Sequence, residues 1–163
     1  MQLKASTDYG LRAVLYLAEQ DSTCSSKDIA HDMSIPRDYL IQLAQLLRNA
    51  GIIEARPGKH GGYRLAKDPS EITLLQVISA IDDDAKDTTR ARREDRKNAA
   101  MVDDVKRAYE LVMDSYDAYL DSITLDMLLD CAKDSHKGRE YLAERLSDES
   151  KRLLVPKGEE HVA

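Results

Sequence analysis

Apolar residues recur along the first eighty positions with two different periods, and each change of period marks a change of structure. Leu11, Val14, Leu15 and Ala18 fall at helical spacing and predict a first helix within residues 3–19, with Ser6 or Thr7 as its cap and Asp8 in its first turn. Ser25 and Asp28 form a capping-box pair ahead of Ile29, Ala30 and Met33, which predicts a short second helix ending at the Ser34-Ile35-Pro36 turn. A third helix is expected over residues 34–49. Ser34 is its N-cap in this reading, Pro36 suits its first turn, and Gly51 stops it. On that helix Leu40, Leu43 and Leu47 share one side, flanked by Tyr39, Ala44 and Leu46, while Arg37, Asp38, Ile41, Gln42, Gln45 and Arg48 fall opposite.

After Gly51 the helical period is lost. Ile52, Ile53, Glu54 and Ala55, then Tyr63, Arg64 and Leu65, read as two short strands around Pro57-Gly58 and Gly61-Gly62, with Arg56, Lys59, His60 and Arg64 carrying positive charge near the tip. The helical period returns after the Asp68-Pro69-Ser70 turn. Thr73 and Gln76 make a second capping-box pair, and Leu74, Val77, Ile78 and Ile81 stripe a fourth helix. Residues 82–98 are almost devoid of apolar side chains and read as a charged linker or loop. Beyond them Met101, Val105, Ala108, Val112, Ser115 or Tyr116, and Tyr119 describe one stripe along a helix of about six turns. Ile123, Leu125, Met127, Leu128 and Leu129 follow as a last apolar block, capped by Ser122 or Thr124 and ended by Cys131. The tail from Ala132 is charged, with a modest amphipathic segment around Tyr141, Leu142, Leu146, Leu153 and Leu154.

A short helix, a tight turn and a longer helix make a helix-turn-helix, and the hairpin that follows makes a wing. The expected fold is therefore mainly α. It comprises a winged helix-turn-helix domain over residues 1–81 with a two-stranded wing, a linker over 82–98, a dimerisation helix and short helix over 99–131, and a partly helical tail over 132–163. Amide, guanidinium and carboxylate groups on the outer face of the third helix match the donors and acceptors of base edges in a major groove. Ile41 among them is suited to a thymine methyl group. Double-stranded DNA is the expected partner, reached through Arg37, Asp38, Ile41, Gln42, Gln45 and Arg48, with Tyr39 at the mouth of the groove. Arg56, Lys59 and His60 would lie on flanking phosphate or minor groove, and Lys4 on phosphate. The long helix must bury its stripe, and the same helix of a second subunit is self-complementary under two-fold symmetry. A homodimer through Met101, Val105, Ala108, Val112, Tyr116 and Tyr119 is expected.

The 163 residues are 33% charged with a net charge of −6, which argues against nucleic acid until its distribution is considered. Residues 1–67 hold nine Lys and Arg against seven Asp and Glu, whereas the other 96 hold 15 against 23. The acid sits away from the DNA-reading part. No apolar run approaches the roughly 20 residues needed to cross a bilayer and no signal-peptide core precedes the first helix, so no membrane partner and a cytoplasmic location are expected. Cys24 and Cys131 are the only cysteines, too few for a disulfide framework. Cys131 is a candidate redox-sensing thiol beside the dimerisation helix, or a small buried residue ending a helix. No phosphate-cradling glycine loop and no nucleophile–base pair is recognisable, so no enzyme and no cofactor is expected.

With the wing in view, residues 1–81 resemble the Rrf2 family of bacterial winged-helix transcriptional regulators, which includes iron-sulfur-cluster, nitric-oxide-responsive and cysteine-metabolism repressors. The resemblance rests on Tyr9 and Leu11, Asp28-Ile29-Ala30, Ile35-Pro36, Tyr39-Leu40, Gln42-Leu43, Leu47-Arg48, Ala50-Gly51-Ile52-Ile53, Gly58, Gly61-Gly62-Tyr63, Leu65, Glu71-Ile72-Thr73 and Ile81-Asp82. It implies a sequence-specific regulator, a repressor on a pseudo-palindromic operator; the alternatives are a partner-dependent regulator or protein-binding module whose signal is sensed by another protein, and a repressor released by a small-molecule effector. The cluster-sensing members carry three closely spaced cysteines after the fourth helix, and this chain has none between Asp82 and Asn98. Asp8 aligns with the acidic cluster ligand of the nitric-oxide-responsive branch, but without thiolates it reads as a helix-start residue. Ile41 stands where the family often has glutamate. Pro57 stands where an arginine precedes the wing glycine, with Arg56 one place earlier.

Overall fold

The computed structural model describes residues 4–20, 22–58, 61–82, 99–134, 136 and 138–144, with backbone alone at 99–102. Its elements in order are α1 (Ala5–Glu19), α2 (Ser26–Asp32), α3 (Arg37–Asn49), β1 (Ile53–Arg56), β2 (Gly62–Leu65), a 3-10 turn (Pro69–Glu71), α4 (Leu74–Ile81), α5 (Ala99–Asp121) and α6 (Leu125–Lys133). Residues 138–144 are also helical. The mainly helical winged architecture expected from the periodicity is the one observed. The charged stretch at 83–98, the wing tip at Lys59-His60 and the tail segment around Leu146, Leu153 and Leu154 lie outside the described residues.

Four helices and the base of the wing share one core. Val14 and Leu17 of α1, Ile29 of α2, Leu40, Leu43 and Leu47 of α3, and Val77 of α4 are all 3% exposed or less. Burying each such side chain contributes about 1.5–3 kcal/mol, and together these contacts fix how the helices face one another. The caps behave as their residue types require. Ser25 accepts from the Asp28 N–H at 3.2 Å, and Thr73 and Gln76 exchange hydrogen bonds with each other's backbone N–H at 3.2 and 3.3 Å. Gly51 stops α3 at φ 70°, the left-handed value expected of it.

Two helix starts differ from expectation. Ser34 does not cap α3: it occupies the left-handed region at φ 54°, while the Ile35 N–H donates back to the Ala30 carbonyl at 2.9 Å. Ile35 is buried to 4% exposure, so the chain still turns inward at 34–35 and the cap falls two residues later than expected. Pro36 takes the cap position, and it offers no side-chain acceptor. In α1 neither Ser6 nor Thr7 is the cap. The helix has already begun at Ala5, and Thr7 is buried within it, turning its hydroxyl to the Asp82 carboxylate at 3.4 and 3.5 Å. Gly10, mid-helix, lets α1 close on Ile81, whose side chain a Cβ there would strike.

The C-terminal helices are stitched to this domain by backbone. The Leu74 N–H donates to the Ile123 carbonyl at 2.7 Å and the Leu125 N–H to the Ile72 carbonyl at 3.0 Å, making an antiparallel bridge between Thr73 and Thr124. The Thr73 hydroxyl adds a bond to Asp121 at 2.9 Å, and Leu125 is fully buried in the common core. Thr124, one of the two expected caps, precedes α6.

A polar clasp joins α1 to α2. Tyr16 donates its hydroxyl to Asp32 at 2.9 Å, and His31 Nδ1 lies 3.0 Å from the other oxygen of the same carboxylate. Those bonds, His31 first, hold the Asp32 carboxyl below its usual range. The charge in turn pushes the Tyr16 phenol up to about 12, because ionisation would forfeit its bond to the carboxylate. A pKa raised above its unfolded value stabilises the fold fully below about pH 10, and this contribution fades as pH climbs through 12. In an ultraviolet titration of the eight tyrosines, Tyr16 should ionise late, and Asp32→Asn should return it toward 10. An identical titration in the variant would show that the clasp does not form in solution.

Candidate nucleic-acid interface

Burial of one face of α3 presents the other. With Leu40, Leu43, Ala44 and Leu47 turned inward, Arg37, Asp38, Ile41, Gln42, Gln45 and Arg48 all stand exposed, Ile41 at 42%. The row has two parts. Toward its C-terminal end Arg48 donates to the Gln45 amide oxygen at 2.9 Å, and the Gln45 amide donates to Asn49 at 2.9 Å, so these three side chains hold one another along the helix. Beyond Arg37, the exposed groups of the first two turns are Asp38, Ile41 and Gln42. An acceptor, a methyl-bearing group and an amide differ in what they can pair with, and this is the property a base-reading face needs. Tyr39 is only partly exposed. Its ring meets that of Tyr9 edge-on at 5.8 Å, with the Arg12 guanidinium 5.7 Å from the Tyr9 centroid, so Tyr39 braces α3 against α1.

The wing pairs Ile53 with Leu65 through to Arg56 with Gly62. It is tied to the α1–α2 connection by a second ladder, in which Cys24 and Tyr63 exchange N–H···O bonds at 2.9 and 2.8 Å. Neither the cysteine nor its neighbours gave a strand signal, so the sequence reading missed this tether. The Cys24 thiol is buried and its pKa pushed up by that burial, which makes it inert. On the outer face of the wing Glu54 is ion-paired with Arg64, opposite it in the register, and lies 4.0 Å from Arg56.

Between wing and helices lies a concave polar saddle of about 320 Å³. Lys27 of α2, Arg37 of α3 and Arg56 of β1 reach it from three elements, and no carboxylate is among the described residues that line it. Arg37 leans toward α2, its Nε donating to the Ser26 hydroxyl at 3.4 Å. Lys4 is exposed, with its ammonium 3.5 Å from Asp82, beside a hollow that Tyr39, Gln42 and Leu46 also line. Asp8 is committed to Arg12 at 2.6 Å.

The stripe of α5 is exposed where the helix extends from the domain. Val105 is 62% and Val112 65% exposed, Ala108 is exposed, Tyr116 is 39% exposed and Tyr119 is half-buried; the Met101 side chain lies outside the described residues. Tyr109, 64% exposed, belongs to the same face, four residues from Val105 and seven from Tyr116, and sequence reading omitted it. Its spacing was the available signal. Cys131, half-buried near the end of α6, borders a cavity of about 460 Å³ with Gly138 and Tyr141.

A two-helix reading motif, a wing paired in antiparallel register and a long helix rooted in the same core define the winged helix-turn-helix class. The chain matches the family model described as Rrf2, iron-dependent transcriptional regulator, over residues 3–131. It belongs to the Rrf2 family of transcriptional regulators. Among its relatives, the HTH-type transcriptional regulator NsrR of Halalkalibacterium halodurans is 41% identical over 85 residues, a match covering 51% of this chain and 58% of that one. Among solved structures, IscR of T. potens superposes with a TM-score of 0.55 at 28% identity, covering 81% of this chain and 88% of that one. CymR (YrzC), the global cysteine regulator of B. subtilis, superposes with a TM-score of 0.55 at 27% identity over 80% of this chain and 97% of that one.

The family model's description names iron, and the donor set of this chain decides whether a cluster could be held. Three closely spaced thiolates cannot come from Cys24, buried at the wing tether, and Cys131, in α6, and Asp8 is already paired with Arg12. Among the described residues no group of three or more His, Cys, Asp or Glu is placed to hold a metal ion. The residues present do not fit a cysteine-ligated cluster.

Proposed function

We propose that this protein binds a pseudo-palindromic DNA operator as a homodimer and represses transcription from it in the cytoplasm. The observation that carries the reading is the exposed face of α3, where Asp38, Ile41 and Gln42 stand clear of the core beside a basic wing. In this reading Gln42 pairs with an adenine edge, Asp38 accepts from a cytosine amine and Ile41 covers a thymine methyl group. Gln45 and Arg48 extend the face, and Arg56 with the wing contacts flanking backbone. Repression needs nothing beyond specific occupancy of a promoter. Operators of two half-sites require two recognition helices, and the exposed apolar stripe of α5 supports their pairing through a second copy of the chain.

The decisive experiment is selection from sheared host DNA at near-physiological salt, where charge alone contributes little. Recovery of fragments sharing a two-fold-symmetric motif upstream of genes is expected; no enrichment over input would overturn the reading. On the recovered motif Gln42→Ala should cost about 1–3 kcal/mol and relax preference at one base position, with little change on scrambled duplex, as measured by fluorescence anisotropy. Equal losses on both duplexes would remove Gln42 from base reading. Replacing Val112 by Asp should convert dimer to monomer in analytical ultracentrifugation, because a charge would be buried without a partner. A dimer of unchanged stability would place the interface elsewhere.

A further inference from the structure

The saddle between wing and helices contains an arginine whose sequence position alone assigned it to base reading. We propose that the saddle seats one DNA backbone phosphate and that Arg37 is its clamp. This rests on the DNA-binding reading above and changes the role of one of its residues.

Three observations converge on it. First, Arg37 leans toward α2, its Nε–H donating to the Ser26 hydroxyl at 3.4 Å. That bond fixes the guanidinium plane and leaves its four terminal N–H donors, a fork that matches two oxygens of one phosphate. Second, Lys27 and Arg56 face the same hollow from α2 and β1. Three cations around one concavity favour an anion between them, and the neighbouring carboxylates offset them only in part: Asp28 is held by the Ser25 hydroxyl at 2.8 Å, and Glu54, paired with Arg64, reaches Arg56 only at 4.0 Å. Third, Gly58 and Gly61 are among the residues that line it, so at these two positions the wing presents backbone rather than side chain. α3 also begins here without a side-chain cap.

The consequence for specificity is concrete. Arg37 holds register and depth, and discrimination falls to Asp38 beside it and to Ile41 and Gln42 about one turn further along α3. Pro57, in place of an arginine before the wing glycine, fits the same division, since Arg56 one residue earlier lines the saddle.

The test uses the full-length protein and two duplexes of about 30 base pairs, one carrying the recovered motif and one scrambled, titrated over a range of salt. Arg37→Ala should weaken both duplexes by similar factors, and the slope of log affinity against log salt should fall by about one for each half-site. A scan of the motif duplex with single uncharged methylphosphonate linkages should find a linkage in each half-site where wild type loses affinity and Arg37→Ala does not. Lys27→Ala should be blind to the same linkage, and circular dichroism should show both exposed-site variants folded. A loss confined to the motif, with the salt slope unchanged, would return Arg37 to base reading and overturn the proposal. So would a methylphosphonate scan whose sensitive positions are the same in wild type and variant. A wild-type protein without preference for the motif would refute the operator reading, while the seat would still be judged by the salt slope on scrambled duplex.

Discussion

Everything on the outer face of α3 is positioned by what its inner face must bury. Leu40, Leu43 and Leu47, none above 2% exposed, leave the helix a single rotation about its axis that keeps all three out of water. That rotation brings Asp38, Ile41 and Gln42 outward together, and Tyr39 against Tyr9 prevents the helix from rolling. The proposed base-reading role needs side chains held to a few tenths of an ångström, and here Leu40, Leu43, Leu47 and Tyr39 do the holding.

The same core reaches across the molecule to fix the C-terminal helices. Leu125 is as deeply buried as any α1 or α4 residue, and the Thr73–Thr124 bridge adds a backbone constraint beside it. Packing alone can slide by an ångström, whereas two N–H···O bonds in antiparallel register cannot slip without breaking. The start of α6 and the last turn of α5 are therefore part of the DNA-reading domain in mechanical terms, although the sequence separates them by the long charged stretch after Asp82.

Much of this was legible beforehand because helix periods, capping boxes and glycine turns are local signals. Ser25, Thr73, Gln76 and Gly51 each do what their type and neighbours dictate. The misreadings came where a non-local demand overruled a local one. Ser34 looks like a cap because serine caps helices, yet with Ile35 buried the chain still turns inward there and the cap position falls to Pro36. Thr7 looks like a cap too, but it faces Asp82, 75 positions away in the chain. The Cys24–Tyr63 ladder was invisible because a single bridging residue has no period. At the interface the exposed residues of α3 were readable from spacing, but the direction of the Arg37 guanidinium depends on Ser26, on another helix.

The stitch at the base of α5 also gives this molecule leverage. The 23 residues of α5 extend for about 35 Å at the usual helical rise, and the described root lies at the C-terminal end. A tilt of about 5° at that root carries the far end of such a rod through about 3 Å. The change comparable to a lost hydrogen bond near Thr73 or Asp121 is thus magnified with distance.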